Sequence, residues 1–119
     1  MTTDPFSIAP RELRKTPRLL FHRPAILHVS ADLSIPARTV DISMEGICIA
    51  ADLSLLPGRL CAVEFNASYT PEPVPLKLEG RVAYCVLAGR AGFRIGFHVP
   101  KLDPASKKHV ENIMIMQKF

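Results

Sequence analysis

Ala37-Arg38-Thr39-Val40-Asp41-Ile42-Ser43-Met44-Glu45-Gly46-Ile47-Cys48-Ile49-Ala50 is the stretch on which the fold turns. Val40 and Ile42 alternate with Thr39, Asp41 and Ser43, the period of a strand with one face buried. Met44-Glu45-Gly46 interrupts the alternation and Ile47 to Ala50 resumes it, so the spacing predicts a hairpin over 37–50 with a tight corner at Gly46. Val40 and Ile42 claim the core. Asp41 and Ser43, two residues apart, are then expected side by side on the outer face.

The flanking sequence repeats this pattern. Arg23 to Val29 carries Ala25, Leu27 and Val29 on one face, and Leu60 to Asn66 carries Cys61, Val63 and Phe65. In Leu76 to Leu87, Leu76, Leu78, Val82, Tyr84 and Val86 alternate with Lys77, Glu79 and Arg81, and Gly80 suggests a bulge or bend. Phe93 to Val99 pairs back, with Phe93, Ile95, Phe97 and Val99 inward. Pro71, Pro73 and Pro75 make 69–75 an extended exposed loop. The period then changes: Asp103-Pro104 is a helix start, and a helix over about 103–118 lines up Val110, Ile113 and Met114. Six short antiparallel strands predict an all-β fold with one C-terminal helix, a six-stranded antiparallel barrel over 23–119. Residues 1–22 lack a period and contain Pro5, Pro10 and Pro17, so a flexible leader is expected there.

The chain has 119 residues and 48% apolar content, enough for one core. A net charge of +4 is weaker than the dense basic stripe of a nucleic-acid binder. Most of it sits at the start, where Arg11, Arg14, Lys15, Arg18 and Arg23 outweigh Asp4 and Glu12. Cys48, Cys61 and Cys85 form neither a CxxC nor a Cys/His metal spacing, so free thiols and no metal site are expected. No apolar run is long enough to span a membrane and no signal segment is evident, so a cytoplasmic location is expected.

Two motifs carry chemistry. Asp41 offers a carboxylate that only accepts hydrogen bonds, and Ser43 a hydroxyl that donates and accepts, a pair suited to the N1–H and N2–H2 edge of guanine. Gly46 can take a positive φ or admit another group close to the backbone. Upstream, Arg14 and Arg18 present planar forks for phosphate oxygens or a guanine edge. Taken alone, each motif also fits a plainer structure: a hairpin with polar outer residues, and a solvated basic tail.

Together, RxxxR at 14–18, then 22 residues, then DxSxxG at 41–46 resemble the PilZ domain, a likeness covering about residues 11–100. The resemblance implies a PilZ-like split barrel that binds the signalling nucleotide cyclic di-GMP on its outer surface. It implies phosphate and guanine contacts from Arg14 and Arg18, a guanine edge on Asp41 and Ser43, and close approach at Gly46. The family often has a further arginine beside the first, where this chain has Leu13 and Lys15, which leaves open one nucleotide or a stacked pair. Gly80 to Tyr84 is similar to a late family strand in which an aromatic lies near the ligand, but Tyr84 shares parity with core residues and is left out of the site. The implied role is a receptor without catalytic residues or cofactor. Its nucleotide orders the arginine segment over the barrel and alters a contact with a separate effector protein.

Three other classes fit less well. An enzyme is disfavoured because His22, His28, His98 and His109 are scattered and no base accompanies Ser43. A single-strand nucleic-acid binder needs several outward aromatics, whereas Phe65, Phe93 and Phe97 face inward. A protein–protein adaptor, or a homodimer, finds support in the apolar run Ile113-Met114-Ile115-Met116, which equally suits a cap on the barrel.

Overall fold

Short runs of branched apolar residues separated by turns too brief for a crossover force neighbouring strands to run antiparallel. The computed structural model describes residues 18–117. It contains β1 (Leu19–Leu20), β2 (Pro24–His28), β3 (Ser34–Ser43), β4 (Gly46–Ala51), β5 (Leu60–Asn66), β6 (Pro75–Leu87), β7 (Phe93–His98) and one helix, α1 (Pro104–Gln117). Six strands close into a ring in the order β3-β2-β5-β6-β7-β4, with β4 returning to β3. Every pairing is antiparallel. This is the expected six-stranded barrel with a C-terminal helix.

The leader was expected to run to residue 22, but its end belongs to the barrel. Leu19 pairs with Ile42 and Leu20 with Asp41. Phe21 is 1% exposed and meets Phe65 edge-on, with ring centroids 5.5 Å apart. Two paired residues are too few to show a period, while one buried aromatic is enough to anchor them. Residues 1–17, including Arg14, lie outside the described residues.

Two irregularities reset which residues face outward. The β3–β4 register shifts between Thr39 and Asp41, so Val40 is an inserted residue. Thr39 was expected outside, yet it is 1% exposed. Its hydroxyl donates to the Phe21 carbonyl at 2.5 Å and accepts the Arg23 N–H at 2.7 Å, tying the β1–β2 connection to β3. Arg23 then reaches the carbonyls of Asn66 and Ser68 at 2.7 and 2.9 Å, between the rings of Phe21 and Tyr69. The second shift lies in β6, between Val82 and Tyr84. Val82 is buried, whereas Val86, expected inward, is exposed.

The interior is filled by Leu27, Ile42, Ile47, Ile49, Val63, Leu78, Ile95 and Phe97. Val110, Ile113 and Met114 of α1 join the same cluster. The helix touches β3 and β6, which lie opposite each other in the ring, so it closes one end of the barrel. Its first turn is held by Asp103, whose carboxylate accepts the Ser106 N–H at 2.8 Å. Full burial of one side chain such as Ile113 contributes about 1.5–3 kcal/mol. Ile115 and Met116 remain exposed.

Candidate functional site

The site follows from register. Ile47 and Ile49 point into the barrel, so Cys48 between them points out. Cys48 stands opposite Asp41 on one side and Gly96 on the other, and Gly96 stands opposite Tyr84. One outward row therefore reads Asp41, Cys48, Gly96, Tyr84 across four strands. Strand parity without the shift at Ala83 would have turned Tyr84 inward, which is why the sequence reading omitted it.

Gly96 is needed in that row. A Cβ there would lie 2.2 Å from Tyr84 Cε2 and 2.5 Å from Cζ, so the phenol ring is laid flat against the sheet where a side chain would otherwise stand. The Tyr84 hydroxyl is near enough to the Cys48 thiol and the Arg18 guanidinium for each to affect its titration. Cys48 is only 2% exposed although it faces outward. Burial pushes its thiol up from the ordinary range; the Tyr84 hydroxyl pulls it back, the Asp41 carboxylate adds to the rise, and Arg18 and Arg94 oppose it. Burial also raises the Tyr84 phenol.

Arg18 and Asp41, one residue from each of the two motifs, are brought together. Arg18 Nη1 donates to Asp41 Oδ1 at 3.3 Å, with both side chains about one-fifth exposed (19% and 22%). A single long contact at that exposure contributes on the order of 0–1 kcal/mol, so it is easily exchanged. The guanidinium presents the same kind of N–H edge to the carboxylate that guanine would.

Ser43 and Gly46 differ from expectation. Ser43 is 5% exposed, not an open neighbour of Asp41. Its hydroxyl accepts the Glu45 N–H at 3.2 Å and donates to the Gly46 carbonyl at 3.4 Å, holding the two-residue turn Met44–Glu45. Gly46 has no positive φ, and it pairs with Ser43 as the first residue of β4. A Cβ there would lie 2.4 Å from the Phe97 carbonyl oxygen, so the close approach it permits is that of β7. Both residues shape the hairpin that carries Asp41.

Among the described residues, no three His, Cys, Asp or Glu side chains gather to hold a metal, all three cysteines are free thiols, and no helix is long and apolar enough to cross a membrane.

Comparison with known proteins agrees with this fold. The PilZ domain family profile matches residues 12–115. Among solved structures, the Bacillus subtilis inhibitor of motility MotI/DgrA superposes with a TM-score of 0.74 at 12% identity, over 88% of this chain and 51% of its own. This chain thus spans about half of MotI. The PilZ domain of Escherichia coli YcgR with c-di-GMP gives 0.69 at 14% identity, covering 89% and 92%. A tetrameric PilZ domain of Xanthomonas campestris, self-assembled through a helical bundle, gives 0.68 at 16%, covering 92% and 94%. No curated protein matches the sequence at a significant level.

Proposed function

The chain belongs to the PilZ domain family, and from that premise we propose that the outer face of its barrel is a receptor site for cyclic di-GMP. One observation carries the proposal: a carboxylate, a flat-lying phenol ring and a loosely held guanidinium converge on one row of the outer sheet. Asp41 accepts the guanine N1–H and N2–H2 edge. Tyr84 offers the base a planar surface whose position is fixed by Gly96 beneath it. Arg18 leaves Asp41 when guanine arrives and turns its fork to the nucleotide. Arg14 supplies the second fork. Ser43 and Gly46 act by holding the turn in shape.

Two solved relatives, YcgR and Klebsiella pneumoniae MrkH, are complexes with c-di-GMP, which supports the same ligand here. Engagement of the arginine segment over the barrel then changes the surface offered to a separate protein, and the exposed Ile115 and Met116 of α1 suit such a contact. Binding and not catalysis is the activity.

Calorimetric titration with cyclic di-GMP, GTP, GMP and cyclic di-AMP tests this. Saturable heat with cyclic di-GMP alone, at about micromolar affinity or tighter (on the order of −8 kcal/mol), is expected. Absence of binding, or equal affinity for cyclic di-AMP, overturns the guanine assignment.

A further inference from the structure

Two outward rows flank the row of Asp41, and they differ in what they offer an anion. On one side stand Ser43, Gly46, His98 and Arg81 in register. The guanidinium there is already engaged, with Arg81 Nη1 donating to the Gly58 carbonyl at 2.9 Å. On the other side stand Arg38, Ala50, Arg94 and Val86. Arg38 and Arg94 are both exposed, and among the described residues no carboxylate pairs with either.

The arrangement is fixed by the sheet. Arg38 and Arg94 sit on the two strands that sandwich β4, so their Cα atoms are roughly 10 Å apart, two strand spacings. Only the methyl group of Ala50 rises between them. Two arginine side chains can converge over it, and their like charges repel while nothing anionic lies between. A planar fork from each side matches the two free oxygens of a phosphodiester. The row lies about 6.6–6.8 Å from the Asp41 row, a step that one sugar spans.

We infer that Arg38 and Arg94 form a phosphate clamp, and that the nucleotide whose guanine edge meets Asp41 lays its phosphodiester over Ala50. The orientation rests on the receptor proposal; the anion site itself does not. It gives the ligand a direction across the barrel, away from His98 and Arg81 and toward Ala50.

The test uses the full chain and an Arg38→Ala/Arg94→Ala double variant. Both side chains are exposed, so the melting temperature should hold. For cyclic di-GMP, Kd should rise on the order of tenfold or more, with stoichiometry unchanged and a shallower dependence on salt. An Arg38→Lys/Arg94→Lys variant should recover part of the loss. Unchanged affinity and salt dependence in the alanine variant overturns the clamp, as does a fall from two nucleotides per chain to one at unchanged Kd. A second titration, with inorganic phosphate followed by amide NMR shifts, separates the two proposals. Shifts centred on Arg38, Ala50 and Arg94 that vanish in the variant support the clamp even if cyclic di-GMP does not bind. No shifts there, or the same shifts in the variant, overturn it.

Discussion

Replacing Gly96 by alanine should weaken the site by displacing the Tyr84 ring, with the polar groups proposed to meet the ligand left in place. The new Cβ would lie 2.2, 2.5 and 2.8 Å from three atoms of the Tyr84 ring. Ordinary contact begins near 3.4 Å, so the ring must lift by roughly 1.2 Å or swing aside. The obstacle is a side chain and not backbone, so the barrel should still form, at a cost of about 1–3 kcal/mol for overpacking. Two consequences follow. Cys48 loses its cover, and its thiol, now raised by burial, should become reactive. The base loses a flat surface whose stacking is worth about 1–3 kcal/mol, so Kd for cyclic di-GMP should rise roughly 5- to 150-fold. Alkylation at pH 8 followed by peptide mapping reads Cys48 separately from Cys61 and Cys85. Calorimetry reads the affinity. Tyr84→Phe is the comparison, since it keeps the ring and removes only the hydroxyl. A Gly96→Ala protein with a silent Cys48 and wild-type affinity would refute the role given to the Tyr84 ring.

Asp41→Ala should weaken cyclic di-GMP binding more than Ser43→Ala by calorimetry, because it removes a charged acceptor, while its ion pair with Arg18 is exposed enough to leave stability within about 1 kcal/mol. Thr39→Val should lower stability by about 1–3 kcal/mol in denaturant unfolding, since the buried Phe21 carbonyl and Arg23 N–H lose their shared partner. Asp103→Asn should lower the melting temperature at neutral pH and much less in strong acid. Bonding to Ser106 holds the Asp103 carboxyl below its usual range, so its contribution is complete above the unfolded pKa and disappears as pH falls through the folded one. An Asp103→Asn protein that melts equally far below wild type at pH 2 and pH 7 would contradict that helix cap.

Strand periodicity made most of the barrel legible. Leu60–Asn66 is found with the boundaries read from sequence, and Asp103-Pro104 opens α1 as its capping chemistry requires. Parity failed wherever one residue was inserted. Val40 and Ala83 each shift the register by one, turning Thr39 in and Tyr84 out, and neither carries the glycine that would announce a bulge. The glycine that did look like one, Gly80, is needed for another reason: a Cβ there would lie 2.6 Å from the His98 carbonyl oxygen. The motif residues were easier to find than to place. Asp41 and Arg18 meet because β1 lays the end of the leader against β3. Ser43 is bonded into the turn and Gly46 is packed against β7. Cys48 and Gly96 were invisible as members of the Asp41 row, because that depends on which neighbours the register gives them.

Amide NMR of the labelled chain, titrated with cyclic di-GMP, is the most direct measurement. Saturable shifts should concentrate on Asp41, Cys48, Gly96 and Tyr84, with Arg18 moving off Asp41. Shifts confined to the opposite wall, around Ile26, His28 and Glu64, or no shifts at all, would contradict a guanine edge seated on Asp41.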